Sequence, residues 1–352
     1  MKRSTQGLSL IELMVALAIG SLLIVGAVFV YSQSRNTHTV TDSIARLQEN
    51  ARFAMSAIEA DVMLAGYYGF TNSPDDFKFI QGGSTASPIP SSLMQQSKPA
   101  LAGLPSSAQA CGTNFAVDLI AAAQGSNNAY TRPCAAAGGG ASPTADTLTI
   151  RRASTAPAAA TAGRLQLLVS RLSPTNQFVL ADGVLPASPA LQPDNVEVRD
   201  LLVRTYYISR NSTGRPGVPA LRVKALTNGP AFAASGDQEI LPGVEDLQVQ
   251  FGIDTGDYDG DGVIDPGLDQ NGDGIPDAPN GIATRYVNPN AVPAGFQVVA
   301  VRIWLMVRAD QPEQGFTDNH RYQYADRDIT PNDGFRRMLI SKTIRVRNAR
   351  TL

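Results

Sequence analysis

The chain has 352 residues, 29 Lys+Arg against 31 Asp+Glu, and a formal net charge of −2. Near-neutral charge with 43% hydrophobic residues excludes a disordered charged tail protein and gives no cation excess to attract nucleic-acid phosphates. Two Cys and two His leave little material for zinc or thiol chemistry, and 31 Gly with 23 Pro predict a loop-rich body.

The first element follows Lys2 and Arg3. From Leu8 to Tyr31 the chain is apolar, with one charge, Glu12. At about 1.5 Å per residue this run reaches across a hydrocarbon core of roughly 30 Å. A secretory signal has a shorter apolar stretch and a small-residue cleavage site after it, and neither is present here. The absence of a second long apolar run excludes a polytopic membrane protein. Beyond Tyr31 the helical period continues. Val40, Ile44, Leu47, Ala51, Ala54, Ile58, Val62 and Ala65 step by three or four residues, and Asp42, Arg46, Gln48, Glu49, Arg52, Glu59 and Asp61 form a mostly polar face. Gly66 is the natural stop. One helix over 8–66 is the expectation, spanning a membrane over 8–31 and amphipathic over 32–66. A break near Ser32–Thr39 is the alternative.

A carboxylate inside an apolar membrane segment is expensive and needs a partner. Nothing within this segment offers one, so the partner has to come from another chain or a newly made terminus. Gly7-Leu8-Ser9-Leu10-Ile11-Glu12-Leu13-Met14 resembles the class III signal of type IV prepilins. The resemblance implies that prepilin peptidase removes residues 1–7, cutting between Gly7 and Leu8, and methylates the new amine on Leu8, where the family prefers Phe. Glu12 becomes the fifth mature residue, which in that family pairs with the N-terminal amine of a neighbouring subunit. The segment IARLQENARFAMSAIEADVMLAGYYGF resembles the stem of PilW-type minor pilins, which ends in AGY-x-G. The phrases LPGVEDLQVQFGID and RRMLISKTIRVRN resemble the central and C-terminal strands of the same proteins.

Residues 67–352 are then an exported α+β body, a pilin-like arrangement of a helical spine packed on an antiparallel sheet. Residues 82–162 are rich in Ala, Ser, Pro and Gly and read as loops. Cys111 and Cys134 lie within them. An oxidising compartment favours a disulfide between the two, which would stabilise the loop by about 3 kcal/mol; two free thiols are the alternative. Period-two patterns predict strands at 146–152, 164–170, 177–181, 196–208, 220–225, 245–253, 297–308 and 336–348. Around Trp304, the residues Val301, Ile303, Leu305 and Val307 share one face, which the amphipathic half of the helix is expected to cover.

Between two of these strands lies a long loop, 254–296, holding an acidic tandem. Asp257, Asp259, Asp261 and Asp265 alternate around the turn at Gly262, and Asp269, Asn271, Asp273 and Asp277 repeat the pattern around Gly274. Alternating oxygen donors with a Gly turn suit a hard cation, with the carbonyls of Val263 and Ile275 as further ligands. The pattern resembles EF-hand-like loops of dockerin or thrombospondin type-3 repeats, although Leu268 and Asn280 stand where a Glu is expected. One or two Ca2+ ions are the expected ligands, in a structural or regulatory role. A solvated acidic turn is the alternative.

No phosphate-binding, dinucleotide, zinc-protease or nucleophile-elbow motif occurs, and an enzyme is not expected. Arg336, Arg337, Lys342, Arg345, Arg347 and Arg350 make a basic segment that reads as the solvated side of a strand rather than as a contact to DNA. The resemblance implies a structural minor pilin of the type IV pilus, made in the bacterial inner membrane with its body in the periplasm and then carried to the cell surface. Its partners are other major and minor pilins, the prepilin peptidase and the inner-membrane assembly machinery. A pilus-tip adhesin or surface sensor and a minor pseudopilin of type II secretion are the competing readings.

Overall fold

The computed structural model describes residues 9–71, 74, 77–80, 87–88, 104, 106–172, 177–181, 183–185, 195–226, 236–256, 281–293, 296 and 298–349. It divides into two units, residues 1–49 and 50–352.

Helix α1 (Leu10–Met63) runs without a break, including the Ser32–Thr39 stretch where an interruption was the alternative. Its first unit is helix alone. Ser9 caps the start: the Glu12 N–H donates to the Ser9 hydroxyl at 3.3 Å and to the Ser9 carbonyl at 3.1 Å. In the second unit the helix buries Ala51, Ala54, Ile58 and Val62 of the stripe that the periodicity predicts, together with Met55, which the stripe did not include; Ile44, in the first unit, is exposed. Gly66 ends the element at φ +75°, where a side chain is strained and a Cβ would lie 3.0 Å from the Asn348 carbonyl oxygen. Its N–H donates to the Arg151 carbonyl and passes the chain to the sheet. In the same AGY-x-G run, Gly69 has φ +96° and a Cβ there would press on Val169. Tyr68 is buried and donates its hydroxyl to the Leu119 carbonyl at 2.5 Å.

The body carries fifteen strands among the described residues. They are β1 (Phe77–Ile80), β2 (Ser87–Pro88), β3 (Ala123–Ser126), β4 (Thr147–Ala153), β5 (Gln166–Ser170), β6 (Gln177–Leu180), β7 (Val196–Ser209), β8 (Ala220–Ala225), β9 (Asp237–Pro242), β10 (Val244–Ile253), β11 (Arg285–Val287), β12 (Val298–Arg308), β13 (Tyr322–Tyr324), β14 (Arg327–Ile329) and β15 (Arg337–Arg345). The expected single antiparallel sheet is in fact two main sheets and a hairpin. The larger sheet runs β2-β1-β6-β5-β7-β4-β3, with β8 on β7 and β9 on β8; β1 and β6 are parallel and its other pairs antiparallel. The long strand β7 makes this possible, pairing with β5 over 196–200 and with β8 over 204–209 while β4 runs along 201–206. The smaller sheet is β11-β10-β12-β15, all antiparallel. In it Val301, Ile303, Leu305 and Val307 are fully buried, as the alternation predicts.

Within 82–162, read above as loops, the described residues include β2, β3, β4 and two 3-10 turns, Ser106–Gln109 and Phe115–Val117. Cys111 and Cys134 are bonded to each other. Arg151, fully buried, organises the chain between them. Its guanidinium donates to the carbonyls of Phe115 (2.8 Å) and Ala121 (2.6 Å) and to the Gln124 side chain (3.0 Å), and it lies over the Phe115 ring. A buried charge demands that many acceptors, and here they come mostly from loop backbone that has no ladder partner.

Candidate functional site

Two features stand out as carriers of function: the uncovered apolar helix and the polar joint where that helix meets the body. From Leu10 (79% exposed) to Tyr31 (71% exposed) the large apolar side chains lie open on every side of α1. This stretch is long and apolar enough to cross a membrane. So much open apolar surface is unstable in water and requires lipid or other helices around it. Glu12 sits in the first turn of the helix, where the unpaired N–H groups and the helix dipole favour a negative charge. Ser9 and Glu12 have the S-x-x-E spacing of a capping box, and the Ser half of that box is formed. The sequence reading missed this local reason for an acid at position 12. Gly7 and Leu8, the expected processing residues, lie outside the described residues.

The joint centres on Asp61, on the last turn of α1. The sequence reading placed it on the polar face of the helix, but it is 1% exposed. The error has a physical cause: two strands distant in sequence bring cationic side chains to the helix face, and the acid turns to them rather than to water. The Arg152 guanidinium donates to Oδ1 at 2.8 and 2.9 Å, Arg204 to both oxygens at 2.9 and 3.0 Å, and the Tyr206 hydroxyl to Oδ2 at 2.5 Å. Burial alone would raise the Asp61 pKa. Arg204, the Tyr206 hydroxyl and Arg152 outweigh it and hold the carboxyl below the usual carboxylate range. Glu59, two residues earlier and on another face of the helix, pairs with Lys342 on β15 at 2.6 Å, so the helix is tied to both main sheets.

Other buried acids fasten the body. Asp237 accepts from the Tyr207 hydroxyl, Arg222 and Lys224, and Lys224 also donates to the Ala135 carbonyl beside the disulfide. Asp146 joins the two main sheets: its carboxylate accepts the N–H groups of Asn128 (2.7 Å) and Val249 (2.8 Å), and its own N–H donates to the Leu247 carbonyl. Burial pushes Asp146 up to about 7; the two amides pull it down, and Asp326 and Asp246 add to the rise.

The ten acidic-loop positions Asp257, Asp259, Asp261, Val263, Asp265, Asp269, Asn271, Asp273, Ile275 and Asp277 lie outside the described residues. The base of that segment is visible. Buried Asp254 accepts the N–H of Gly256 at 3.1 Å and that of Gly281 at 2.6 Å, so one carboxylate clasps both ends. Thr255 and Thr284 share a hydroxyl hydrogen bond at 2.8 Å beside it. The expected loop 254–296 is therefore partly structured, for it includes β11 and a 3-10 turn, Pro289–Ala291. The basic C-terminal segment is not simply solvated either. Arg336 pairs with Glu313, and the Arg337 side chain is held between Glu245 (2.6 Å) and Asp333 (2.6 Å). Arg350 lies outside the described residues.

Comparison with known families gives two matches. Residues 205–348, from the second half of β7 to just beyond β15, match the family of type IV pilus-assembly protein W. Residues 2–28 match the prokaryotic N-terminal methylation motif. No curated protein and no solved structure matches the chain.

Asp61→Asn should lower the stability of the body by about 3 kcal/mol in urea titration, the scale for breaking a buried ion pair, since Arg152 loses its counter-charge. The Asp61 contribution is complete above its unfolded pKa of about 3.9 and is lost as pH falls through the lower folded value, so the gap between wild type and variant should close in acid. Asp146 has the opposite sign. Its raised folded pKa gives a contribution present below about pH 3.9 and lost as pH rises through about 7. Asp146→Asn should therefore flatten the stability gain seen on going from pH 7.5 to pH 5.

Proposed function

We propose, from the matches over 205–348 and 2–28, that the chain is a PilW-type minor pilin of the type IV pilus that helps to initiate the fibre and resides near its tip. Its role is structural rather than catalytic. The observation that carries the reading is the methylation motif over 2–28 leading into a helix whose apolar surface is bare on all sides. Prepilin peptidase removes residues 1–7 and methylates the amine of Leu8. Before assembly the Leu8–Tyr31 segment sits in the inner membrane and the body lies in the periplasm. On extraction the lipid around the helix is exchanged for the helices of other pilins, an apolar-for-apolar replacement that leaves the driving force to packing and to polar pairing. Glu12 supplies that pairing by meeting the amine of a neighbouring subunit, in a setting where a lone charge is costly.

The acidic segment 257–280 is proposed to hold calcium. Its donor set, carboxylates with one amide and backbone carbonyls, is that of a hard cation, and the Asp254 clasp brings its ends together without using any of those donors. Calcium would supply charge neutralisation that lets closely spaced carboxylates share one fold. An insertion of this kind on a tip subunit also supports an adhesive or sensing role, which is compatible with assembly.

Glu12→Leu should be cleaved normally, with Leu8 as the first residue by N-terminal sequencing, yet be lost from sheared fibres by immunoblot. Normal incorporation of this variant would refute the pairing. Calcium should raise the melting temperature of the full chain in detergent, and deletion of residues 257–280 should abolish that rise. If the deletion strain lacks fibres the insertion serves assembly; if fibres persist without surface attachment it serves adhesion.

A further inference from the structure

Strand β3 forms the edge of the larger sheet and pairs with β4 alone. In an antiparallel ladder, alternate residues turn their backbone groups toward the partner and away from it. The Arg151 N–H donates to the Ala122 carbonyl at 2.8 Å, which sets the phase. Residues 122, 124 and 126 face β4, so Ala123 and Gly125 aim their N–H and C=O groups out of the sheet. Among the described residues nothing bonds to those four groups, although Ala123 is 8% exposed. Gly125 is half-buried, and backbone groups at a buried position such as Ala123 are seldom left unpaired. They border a cavity of about 330 Å³ whose facing walls include Phe251, Val292, Phe296, Val298 and Val346. Among the described residues no Asp, Glu, Lys or Arg lines it, and the one ionisable side chain they place on its wall, Tyr68, already gives its hydroxyl to Leu119. Pro289 and Pro293 stand on the wall as well and have no N–H with which to complete the ladder from within the chain.

We propose that this groove receives an extended, uncharged, apolar segment of a partner pilin, which adds to β3 as a further strand. Two donors and two acceptors at two-residue spacing match another extended backbone, whereas an acyl chain or a small apolar molecule would leave all four unpaired. The uncharged walls select the side chains of the incoming strand, because a charge there would be desolvated without a partner. The class of partner rests on the pilin reading above. The groove itself rests on the register of β3.

The test places the photoreactive p-benzoylphenylalanine at Phe296 of the full chain, in membranes that also hold the other pilins of its assembly system. The expected product is an adduct with another pilin, mapped by mass spectrometry to a contiguous uncharged segment. Ala123→Pro removes one outward N–H at an edge position where proline is compatible with the β4 ladder. It should cut adduct yield about tenfold, the scale of one or two lost hydrogen bonds, with the melting temperature retained. Should Ala123→Pro unfold, Val292→Glu, at a half-buried wall position, places a charge in the groove and should give the same loss. The proposal is overturned if no adduct forms, if the adduct is to lipid, to a second copy's charged surface or to residues 350–352 of the same chain, or if a folded variant leaves the yield unchanged. Failure of the pilin reading would register separately, as a chain in the same membranes that still begins at Met1.

Discussion

The body depends on one carboxylate. Asp61 is withdrawn from water on the last turn of α1, and three donors from β4 and β7 converge on its two oxygens. Removing a charge from solvent costs several kcal/mol, and only a partner set this complete returns it. Such an arrangement adds less to net stability than apolar packing could. It does fix rotation and register, because a helix turned by one residue would leave Asp61, Arg152 and Arg204 all buried or half-buried without counter-charges. Everything after it follows from that setting. Gly66 can close onto Asn348 and hand its N–H to Arg151 only if the helix ends at this place. Tyr68 then reaches Leu119, which fixes the approach to β3 and to the disulfide-bonded loop.

Much of this was legible in the sequence, for reasons that differ by element. The helix was readable because its apolar period runs on past the membrane segment and stops at a glycine with a positive φ. Eight strands, β4 to β8, β10, β12 and β15, were readable from their apolar or alternating runs, whereas the six-residue β9, DQEILP, was not predicted. β3, with the sequence AQGS, has no alternation, and β13, with YQY, is too short to show any. The parallel pairing of β1 with β6 joins residues about a hundred positions apart, and no local pattern encodes it. The same holds for Asp61. Its ion-pair partners lie 91 and 143 residues further along the chain. A helical wheel therefore assigns it to the solvent with nothing to say otherwise. The clasp beneath the acidic repeat was not legible, because Asp254 looks like one more member of an aspartate-rich stretch.

The start of α1 shows two demands met by the same four residues. Ser9 and Glu12 satisfy a helix N-terminus on local grounds, through a hydroxyl on an otherwise unpaired N–H and a negative charge near the positive end of the dipole. The proposed pairing with a neighbour uses that same charge. An acid at this position is therefore tolerable in the isolated subunit before any neighbour arrives, and the helix can form in the membrane ahead of assembly.

The Asp254 clasp also bears on how this chain can vary. A loop whose ends are already held within hydrogen-bonding distance of one side chain pays its closure entropy at the neck, and added residues raise that cost only logarithmically. Evolution or an engineer could lengthen, shorten or replace the intervening two dozen residues while β10 and β11 remain in register. The body thus offers a neck at which the intervening segment can be exchanged, and a change in that segment need not alter how the rest is built.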